Sequence, residues 1–238
     1  MKNKDIFTFR DAEKQAGPVA FSTMLKPAGS ACNLDCHYCY YLDKAVQYGG
    51  RQAVMSDELL ELYVKQYIEA NEVPTVQFCW HGGEPLLLGV DFYRKAMDFQ
   101  QKYADSKKIE NILQTNGTLV DEAWCDLFAG NNFLVGISLD GPQDIHDAFR
   151  LTKGGRPTFE RVMRTIEMFQ RSGVEYNTLS VVNRLCEGRG GEIYRFFRDT
   201  VHSRYMQFLP AVEHVVDKPG FHRPLIVSPD REGARLAE

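Results

Sequence analysis

Short apolar segments alternate with amphipathic segments along most of this 238-residue chain. Six segments rich in β-branched and aromatic residues are predicted as strands: Val19 to Leu25, Thr75 to Trp80, Ile109 to Gln114, Phe133 to Leu139, Val174 to Val182 and Tyr205 to Ala211. Five segments with helical periodicity lie between them: Asp57 to Ala70, Phe92 to Ala104, Glu122 to Phe128, Phe159 to Arg171 and Glu192 to Asp199. Ser56 is a suitable N-cap for the first helix.

This alternation predicts repeated βαβ units, and therefore an α/β fold with a parallel sheet. The strands are nearly continuous in apolar residues, which is typical of strands covered on both faces. An open doubly wound sheet and a partial barrel both fit this order, and periodicity does not separate them.

The polar and glycine-rich motifs all follow predicted strands. In chain order they are residues 32–39, 81–85, 115–117, 138–142, 182–183 and 210–212. Because chemistry in parallel α/β folds collects in the loops after the carboxyl ends of the strands, we expect all of them on one rim of the sheet.

Three cysteines, Cys32, Cys36 and Cys39, form a C-x3-C-x2-C pattern. A zinc site or a [4Fe–4S] cluster normally takes four protein ligands. Three thiolates within eight residues can bind three irons of a cube and leave the fourth iron open, as catalytic sites do. Alternatives are three buried thiols or a Cys3His zinc site completed by His37 or His81, although His37 lies awkwardly between two ligands.

The other rim motifs also have plain structural interpretations. Gly82 and Gly83 can let the backbone approach a ligand beside the carboxylate of Glu84, or they can simply end a strand in a turn. Ser138 and Asp140 alternate with apolar residues at the end of a strand, so both can face the same interior, or Asp140 can belong to a plain turn. Arg150 can be a solvated charge at the end of a helix. His81, His146 and His202 lack ligand spacing and are interpreted as ordinary histidines. The scattered Cys79, Cys125 and Cys186 lie within apolar patterns and are interpreted as small buried hydrophobic residues.

Composition narrows the class of protein. A hydrophobic content of 44% supports one domain with a large core. The net charge of −4 gives no electrostatic footprint for binding nucleic acid or an anionic membrane. No membrane span is predicted, since no segment of 18 apolar residues occurs, and no signal peptide is predicted, since no apolar core follows residues 1–5. Clustered cysteines indicate a reducing compartment, so a cytoplasmic location is expected.

Taken in order, the motifs resemble the radical S-adenosylmethionine (radical SAM) enzymes. An aromatic residue, Tyr38, precedes the third cysteine, and Gly82-Gly83-Glu84-Pro85 follows later. Segments 32–42, 80–87, 113–119, 135–142 and 206–209 are similar to the anaerobic sulfatase-maturating enzymes of that superfamily. The likeness runs from about Phe21 to Ala211, nearly the whole chain.

The resemblance implies a partial (β/α)6 barrel whose last helix is truncated. Residues 1–238 would form one radical SAM core domain. Residues 1–18 would be an N-terminal extension and 19–212 the barrel, while 213–238 would be a loop and the start of the truncated helix.

The resemblance also implies the cofactors. Cys32, Cys36 and Cys39 would bind a [4Fe–4S] cluster, whose open iron would chelate the amino and carboxylate groups of SAM. Tyr38 would contact the adenine, and Val212 would line the adenine pocket.

The other implied contacts hold the rest of SAM. Gly83 and Glu84 would bind the methionine amino end, while Ser138 and Arg150 would hold the ribose and the carboxylate. These roles suit the side chains, since a carboxylate pairs with an ammonium and arginine suits a carboxylate.

The implied reaction is the oxidation of a Cys or Ser in an unfolded sulfatase segment to Cα-formylglycine. A 5′-deoxyadenosyl radical would take a hydrogen from the β-carbon of the target residue. The implied partners are the sulfatase polypeptide and an electron donor such as flavodoxin or ferredoxin.

Relatives in this family continue into a cysteine-rich region with two auxiliary clusters and the aspartate proposed as the base. No catalytic base is therefore assigned within this chain, and a fragment or a truncated gene product is the simplest expectation. Two other functions fit the same residues. One is a peptide-maturing radical SAM enzyme that forms thioether or carbon–carbon crosslinks, and the other is a zinc-stabilised α/β binding module.

Overall fold

The structure, a computed structural model, describes residues 17–41 and 54–211. Six parallel strands form one sheet in the sequential order β1 to β6. Their bounds are β1 Met24–Leu25, β2 Thr75–Trp80, β3 Lys108–Thr115, β4 Leu134–Ser138, β5 Glu175–Val182 and β6 Met206–Pro210. This sequential order separates the two folds that periodicity left open, because a doubly wound sheet reverses its strand order at a switch point. The partial (β/α)6 barrel is confirmed.

Helices connect the strands on the outer face of the sheet. Their bounds are α1 Asp57–Ala70, α2 Val90–Tyr103, α3 Glu122–Gly130, α4 Gln143–Phe149, α5 Phe159–Ser172 and α6 Gly190–Arg195. Two short 3₁₀ helices, Pro85–Leu88 and Arg184–Cys186, follow β2 and β5, and a π-helical turn, Phe196–Thr200, continues α6.

Helix α5 illustrates how local sequence sets these elements. Its buried residues follow helical spacing and face the sheet: Val162, Thr165, Ile166 and Phe169. At its start, the carboxylate of Asp147 accepts hydrogen bonds from the backbone N–H groups of Thr158 and Phe159. At its end, Gly173 adopts a left-handed conformation with φ 69°. Helix α1 begins in the predicted way, with the Ser56 hydroxyl accepting from the Leu59 N–H.

The core lies between the sheet and the helices. In β2, the side chains of Val76, Phe78 and Trp80 are buried against the helices, while Thr75 and Gln77 on the other face are exposed. The expectation that both faces are covered therefore fails for β2, whose inner face is open, whereas residues 135–138 of β4 are buried on both faces. Alternation of buried and exposed positions in β2 follows from that open face.

Three elements differ from the sequence prediction. Strand β1 is only two residues long, because the preceding chain is held by other groups: the Val19 and Phe21 N–H groups donate to the side chains of Glu72 and Asn71. Helix α4 was not predicted. The last predicted helix instead divides into α6 and the π-helical turn. Residues 1–16, Val212 and the predicted final helix at 213–238 lie outside the described residues.

Candidate functional site at the carboxyl ends of the strands

The loop after β1 carries the three clustered cysteines to one cavity. Cys32, Cys36 and Cys39 all line this cavity, which has a volume of about 390 Å³. Cys36 is buried, while the other two are half-buried. All six cysteines fall within the described residues, and none of them is in a disulfide. We call residues 32–39 the cysteine loop.

The glycine motif after β2 packs tightly against the start of the cysteine loop. The Gly83 N–H donates to the Gly29 carbonyl at 3.0 Å, and the Glu84 N–H donates to the Ala31 carbonyl at 2.7 Å. A Cβ atom on Gly83 would lie 2.1 Å from the Ala31 oxygen, so no other residue fits there without moving the loop. Gly82 has φ +124°, a conformation that favours glycine. The close backbone approach expected of this motif is present, and in the structure it is made to the chain itself.

Backbone hydrogen bonds hold the cysteine loop from the opposite side as well. The Asp35 N–H donates to the Leu151 carbonyl at 2.8 Å, and the His37 N–H donates to the Phe149 carbonyl at 3.0 Å. Leu34 also forms an antiparallel bridge with Thr152. The loop is therefore fixed between the end of β2 and the segment that follows α4.

Glu84 joins the loops after β2 and β3 from beneath the cavity. Its carboxylate is fully buried and accepts hydrogen bonds from the Leu86 N–H, the Asn116 N–H and the Thr115 hydroxyl. Burial raises the pKa of Glu84 to about 7, while the three donors oppose that rise. Glu84 is absent from the residues that line the cavity, because its side chain turns to these protein donors instead. Its predicted contact with an amino group stays a prediction.

Asn116, which follows β3, reaches the cysteine loop directly. Its side-chain amide donates to Asn33 Oδ1 at 2.9 Å and lies 3.7 Å from the sulfur of Cys32. Asn33 in turn donates to the Thr118 hydroxyl at 2.8 Å. Residues 115–117 lie on the rim where their position after a strand predicted them, but their contact with the cysteine loop was not predicted.

Asp140 connects two side chains that line the cavity. One carboxylate oxygen accepts a short hydrogen bond from the Tyr38 hydroxyl, and the other lies 3.0 Å from Arg150 Nε as an ion pair. The Val181 N–H also donates to Asp140. The Arg150 guanidinium additionally lies over the Tyr38 ring, 5.5 Å from its centroid. A solvated Arg150 and a plain turn at Asp140 are therefore wrong, since both side chains are buried.

The protonation states of Tyr38 and Arg150 follow from their burial and from the neighbouring Asp140 carboxylate. Burial lowers the pKa of Arg150, but the attraction of the Asp140 carboxylate is part of a larger opposite effect, so the pKa of Arg150 is raised overall. Burial raises the pKa of Tyr38 well above its ordinary value, so its hydroxyl keeps the proton that it donates. Arg150 thus presents a fixed positive charge at the cavity wall.

Ser138, at the end of β4, lines the cavity beside Gln114 of β3. The Gln114 amide donates to the Ser138 hydroxyl at 3.0 Å. Gly136 makes room for this contact, because a Cβ atom there would lie 2.1 Å from Gln114 Oε1. Gln114 pairs with Gly136 across the sheet, and its contact with Ser138 was not predicted.

The histidines differ in their positions. His81 lines the cavity, and its Nδ1 accepts from the Gly82 N–H at 2.8 Å. His146 is fully buried and bonded to its neighbours, as expected of an ordinary core histidine. Cys125 and Cys186 are buried as predicted, whereas Cys79 is only half-buried.

The profile of the radical SAM superfamily matches residues 27–186, about two thirds of the chain. The chain belongs to the radical SAM superfamily. Radical SAM proteins use a [4Fe–4S] cluster together with SAM, so these are the cofactors that the cavity should hold.

Several relatives lie within one branch of the superfamily. The chain is 45% identical over 212 residues to a serine-type anaerobic sulfatase-maturating enzyme of Bacteroides thetaiotaomicron, covering 89% of this chain and 51% of the relative. It is 40% identical over 210 residues to a cysteine-type enzyme of Clostridium novyi, covering 85% and 54%. The chain thus spans about half the length of the curated relatives it matches.

Solved structures agree with this placement. Native anSMEcpe with bound AdoMet and Kp18Cys peptide superimposes with a TM-score of 0.76 at 36% identity, covering 85% of this chain and 54% of that one. Streptococcus suis SuiB bound to S-adenosylmethionine has a TM-score of 0.57 at 15% identity, covering 81% and 39%, and shares the fold alone. Within the part of this chain that the structure describes, no helix is both long and apolar enough to cross a bilayer.

The donor set of this radical SAM protein suits the cluster. Three thiols from one short loop line the same cavity wall. Among the described residues, no three His, Cys, Asp or Glu side chains lie close enough together to bind a single metal ion. Burial raises the pKa of Cys32 to about 11 and that of Cys36 to about 12. Both are therefore protonated at neutral pH, and iron binding would release their protons.

The structure brings together most of the predicted SAM contacts. Tyr38, Gly83, Ser138 and Arg150 line the same cavity as the three cysteines. Glu84 lies behind this wall, and Val212 is outside the described residues. The individual contacts with SAM remain predictions.

Proposed function

We propose that this chain carries the SAM-cleaving core of an anaerobic sulfatase-maturating enzyme. The observation that carries this proposal is the shared cavity: three cysteines of one loop and a buried arginine face the same space, in a chain 45% identical to a serine-type enzyme of this class. The reaction would be oxidation of a Cys or Ser side chain in a sulfatase segment to Cα-formylglycine. Relatives of both the serine and the cysteine type are similar to this chain.

The cysteines would hold the cofactors at one end of the cavity. Cys32, Cys36 and Cys39 would bind three irons of the [4Fe–4S] cluster, leaving one iron for the amino and carboxylate groups of SAM. When bound, the cluster and SAM supply a 5′-deoxyadenosyl radical, and the protein orients the reactants.

The other wall residues would position SAM. Arg150, fixed by Asp140, supplies a permanent positive charge suited to a carboxylate. Tyr38 offers an aromatic face for the adenine, and the Ser138 hydroxyl suits a ribose hydroxyl. The backbone carbonyl of Gly83 would accept from the methionine amino end, since the Gly83 N–H already donates to the Gly29 carbonyl.

The substrate segment would enter along the inner face of the sheet. Leu179, Val181 and Leu209 give that side of the cavity an apolar wall, which limits water near a radical. The proposed partners are therefore an unfolded sulfatase polypeptide and an electron donor of the flavodoxin or ferredoxin class. The likeness to SuiB, at 15% identity, shows the fold alone and supports no crosslinking chemistry, and a zinc-binding module is disfavoured by membership of the superfamily.

Anaerobic reconstitution with iron and sulfide tests the first half of the proposal. The protein should bind about four irons and form 5′-deoxyadenosine from SAM after reduction. Cys36→Ala should lose both, while Cys125→Ala, which changes a buried cysteine outside the cavity, should keep both. A protein that binds zinc but no iron–sulfur cluster would overturn the proposal.

Peptides that carry a Cys-type or a Ser-type sulfatase motif test the second half. Mass spectrometry should find formylglycine at the target residue of one or both peptides. Crosslinked product instead of formylglycine would refute the sulfatase assignment while leaving the superfamily unaffected.

A further inference from the structure

An exposed group of positive charges lies beside the cysteine loop. It consists of Lys153, Arg156, Arg161 and Arg164, which we call the basic patch. Within residues 17–41 and 54–211, none of the four forms an ion pair. This local concentration of positive charge contrasts with the net charge of −4 of the whole chain.

Three of these arginines surround a depression on the protein surface. Arg156, Arg161 and Arg164 line a cavity of about 290 Å³, together with the acidic residues Asp147 and Glu160. The Asp147 carboxylate already accepts two backbone N–H groups at the start of α5. Three guanidinium groups thus face two carboxylates on this wall, so positive charge exceeds negative charge by one.

The basic patch is joined to the cysteine loop through the backbone. Residues 151–157 form a small hairpin, in which the Thr152 N–H donates to the Arg156 carbonyl at 2.9 Å. The other edge of the same hairpin pairs with the segment between Cys32 and Cys36, through the Asp35 N–H and the bridge from Leu34 to Thr152. Paired strands lie about 4.8 Å apart. A protein seated on the basic patch would therefore stand close to the cluster ligands.

The basic patch is separate from the substrate cavity. The residues that line its depression include none of those that line the cavity of the cysteines. A partner bound at the patch would leave that cavity open. This separation favours a partner that delivers something other than the substrate.

We propose that the basic patch docks an acidic electron-transfer protein of the flavodoxin class, which reduces the cluster. The inference rests on the proposed function, because only a protein that takes up the cluster needs such a donor. One electron would pass from the flavin hydroquinone to the cluster, leaving a semiquinone and a cluster one charge lower, with no bond made or broken. Encounters between redox proteins bury little surface and depend on charge steering, which an exposed arginine group supplies.

Stopped-flow reduction of the reconstituted protein tests this surface without the sulfatase substrate. At low salt, Arg156→Glu/Arg161→Glu should lower the rate of cluster reduction by reduced flavodoxin at least about tenfold. In high salt the reduction rates of the wild-type protein and the double variant should become similar, because the Debye length is only about 3 Å at 1 M salt. Reduced methyl viologen, a small cation, should reduce both proteins at similar rates, which shows that the cluster and its loop are intact.

Arg171→Glu provides a matched control. It lies on the same helix, ten residues after Arg161, which is about 15 Å along the axis. This variant should keep the wild-type rate with flavodoxin. Equal flavodoxin rates for wild type and the double variant at low salt would overturn the proposal, as would an equal loss in Arg171→Glu. A double variant that loses affinity for a sulfatase peptide but keeps its flavodoxin rate would also overturn it, assigning the patch to the substrate.

Discussion

Arg150 Nε lies 3.0 Å from Asp140 Oδ1, in an ion pair whose side chains are only 8% and 0% exposed. The second oxygen of the same carboxylate accepts from the Tyr38 hydroxyl. One buried carboxylate therefore fixes two side chains that line the cavity of the cysteines. Asp140 does not line that cavity, so we expect it to act on a ligand by positioning Arg150 and Tyr38.

Asp140→Asn should weaken SAM binding at least tenfold, which corresponds to about 1.4 kcal/mol. The amide keeps the size of the side chain but removes the charge that orients Arg150. Breaking a buried ion pair from one side should also lower the free energy of unfolding by about 3–5 kcal/mol. Equilibrium dialysis of SAM on the reconstituted protein and urea unfolding measure the two effects.

Thr178→Val separates positioning from general loss of stability. The Thr178 hydroxyl is buried and bonds to Ser203 at 3.0 Å, and Thr178 is not among the residues that line the cavity. This variant should lose stability while keeping its SAM affinity. An unchanged SAM affinity in Asp140→Asn would show that Asp140 is only a structural ion-pair partner.

Gly83→Ala should abolish iron incorporation while leaving the sheet folded. The new Cβ atom would lie 2.1 Å from the Ala31 carbonyl oxygen, so the start of the cysteine loop must move. Iron and sulfide analysis after reconstitution, with far-UV circular dichroism as the folding check, measures the effect. Gly130→Ala is the control, because nothing lies within 4 Å of its added Cβ atom. Normal iron content in Gly83→Ala would contradict the packing argument.

The sequence predicted the middle of the sheet well, because strands β2 to β5 are short segments with frequent apolar and β-branched residues, each followed by a polar rim motif. It failed at β1, where side chains of Glu72 and Asn71 replace backbone pairing. Periodicity does not report such contacts, since they join residues about fifty positions apart.

The candidate site was predicted in part. Three cysteines predicted from their spacing line one cavity together with four residues that the family resemblance implied, Tyr38, Gly83, Ser138 and Arg150. The burial of Asp140 with Arg150 was missed, because a turn signal and a helix-end charge look the same whether solvated or paired. The burial of the Glu84 side chain was also missed, because two of its three hydrogen-bond donors, at residues 115 and 116, are distant in the sequence.

Asn116→Ala should make the reduction potential of the cluster more negative. The Asn116 amide lies 3.7 Å from the Cys32 sulfur, and hydrogen bonds to cluster sulfurs influence the potential. Without the donor, added negative charge on the cluster is less well stabilised. A redox titration followed by electron paramagnetic resonance measures the shift. Thr118→Val, which removes hydroxyl contacts with Asn33 and Asn116 but none with the sulfur, should change the potential less. A potential that stays the same or rises in Asn116→Ala would contradict this role.

The free energy of unfolding should decrease in mild acid, because the buried His146 ring is bound in its neutral form. Its Nδ1 accepts from the Asp140 N–H at 3.4 Å, and its Nε2 lies 3.0 Å from the Thr158 hydroxyl, which itself donates to the Arg150 carbonyl. This arrangement requires a neutral ring with its proton on Nε2. Burial, and then the charge of Arg150, hold the pKa of His146 well below its ordinary value of 6.5.

The direction of the pH effect follows from that lowered pKa. Above about pH 6.5 the ring is neutral in both the folded and the unfolded chain, so the contribution of His146 to stability is fully present. As the pH falls below 6.5, only the unfolded chain takes up the proton, and the free energy of unfolding should decrease by up to about 1.4 kcal/mol per pH unit until the folded pKa is reached. Urea unfolding at pH 7, 6 and 5 measures this slope. His146→Gln, which can keep a donor toward Thr158 but cannot be protonated, should show a shallower decline than wild type, whereas parallel curves would mean that His146 is not the group responsible.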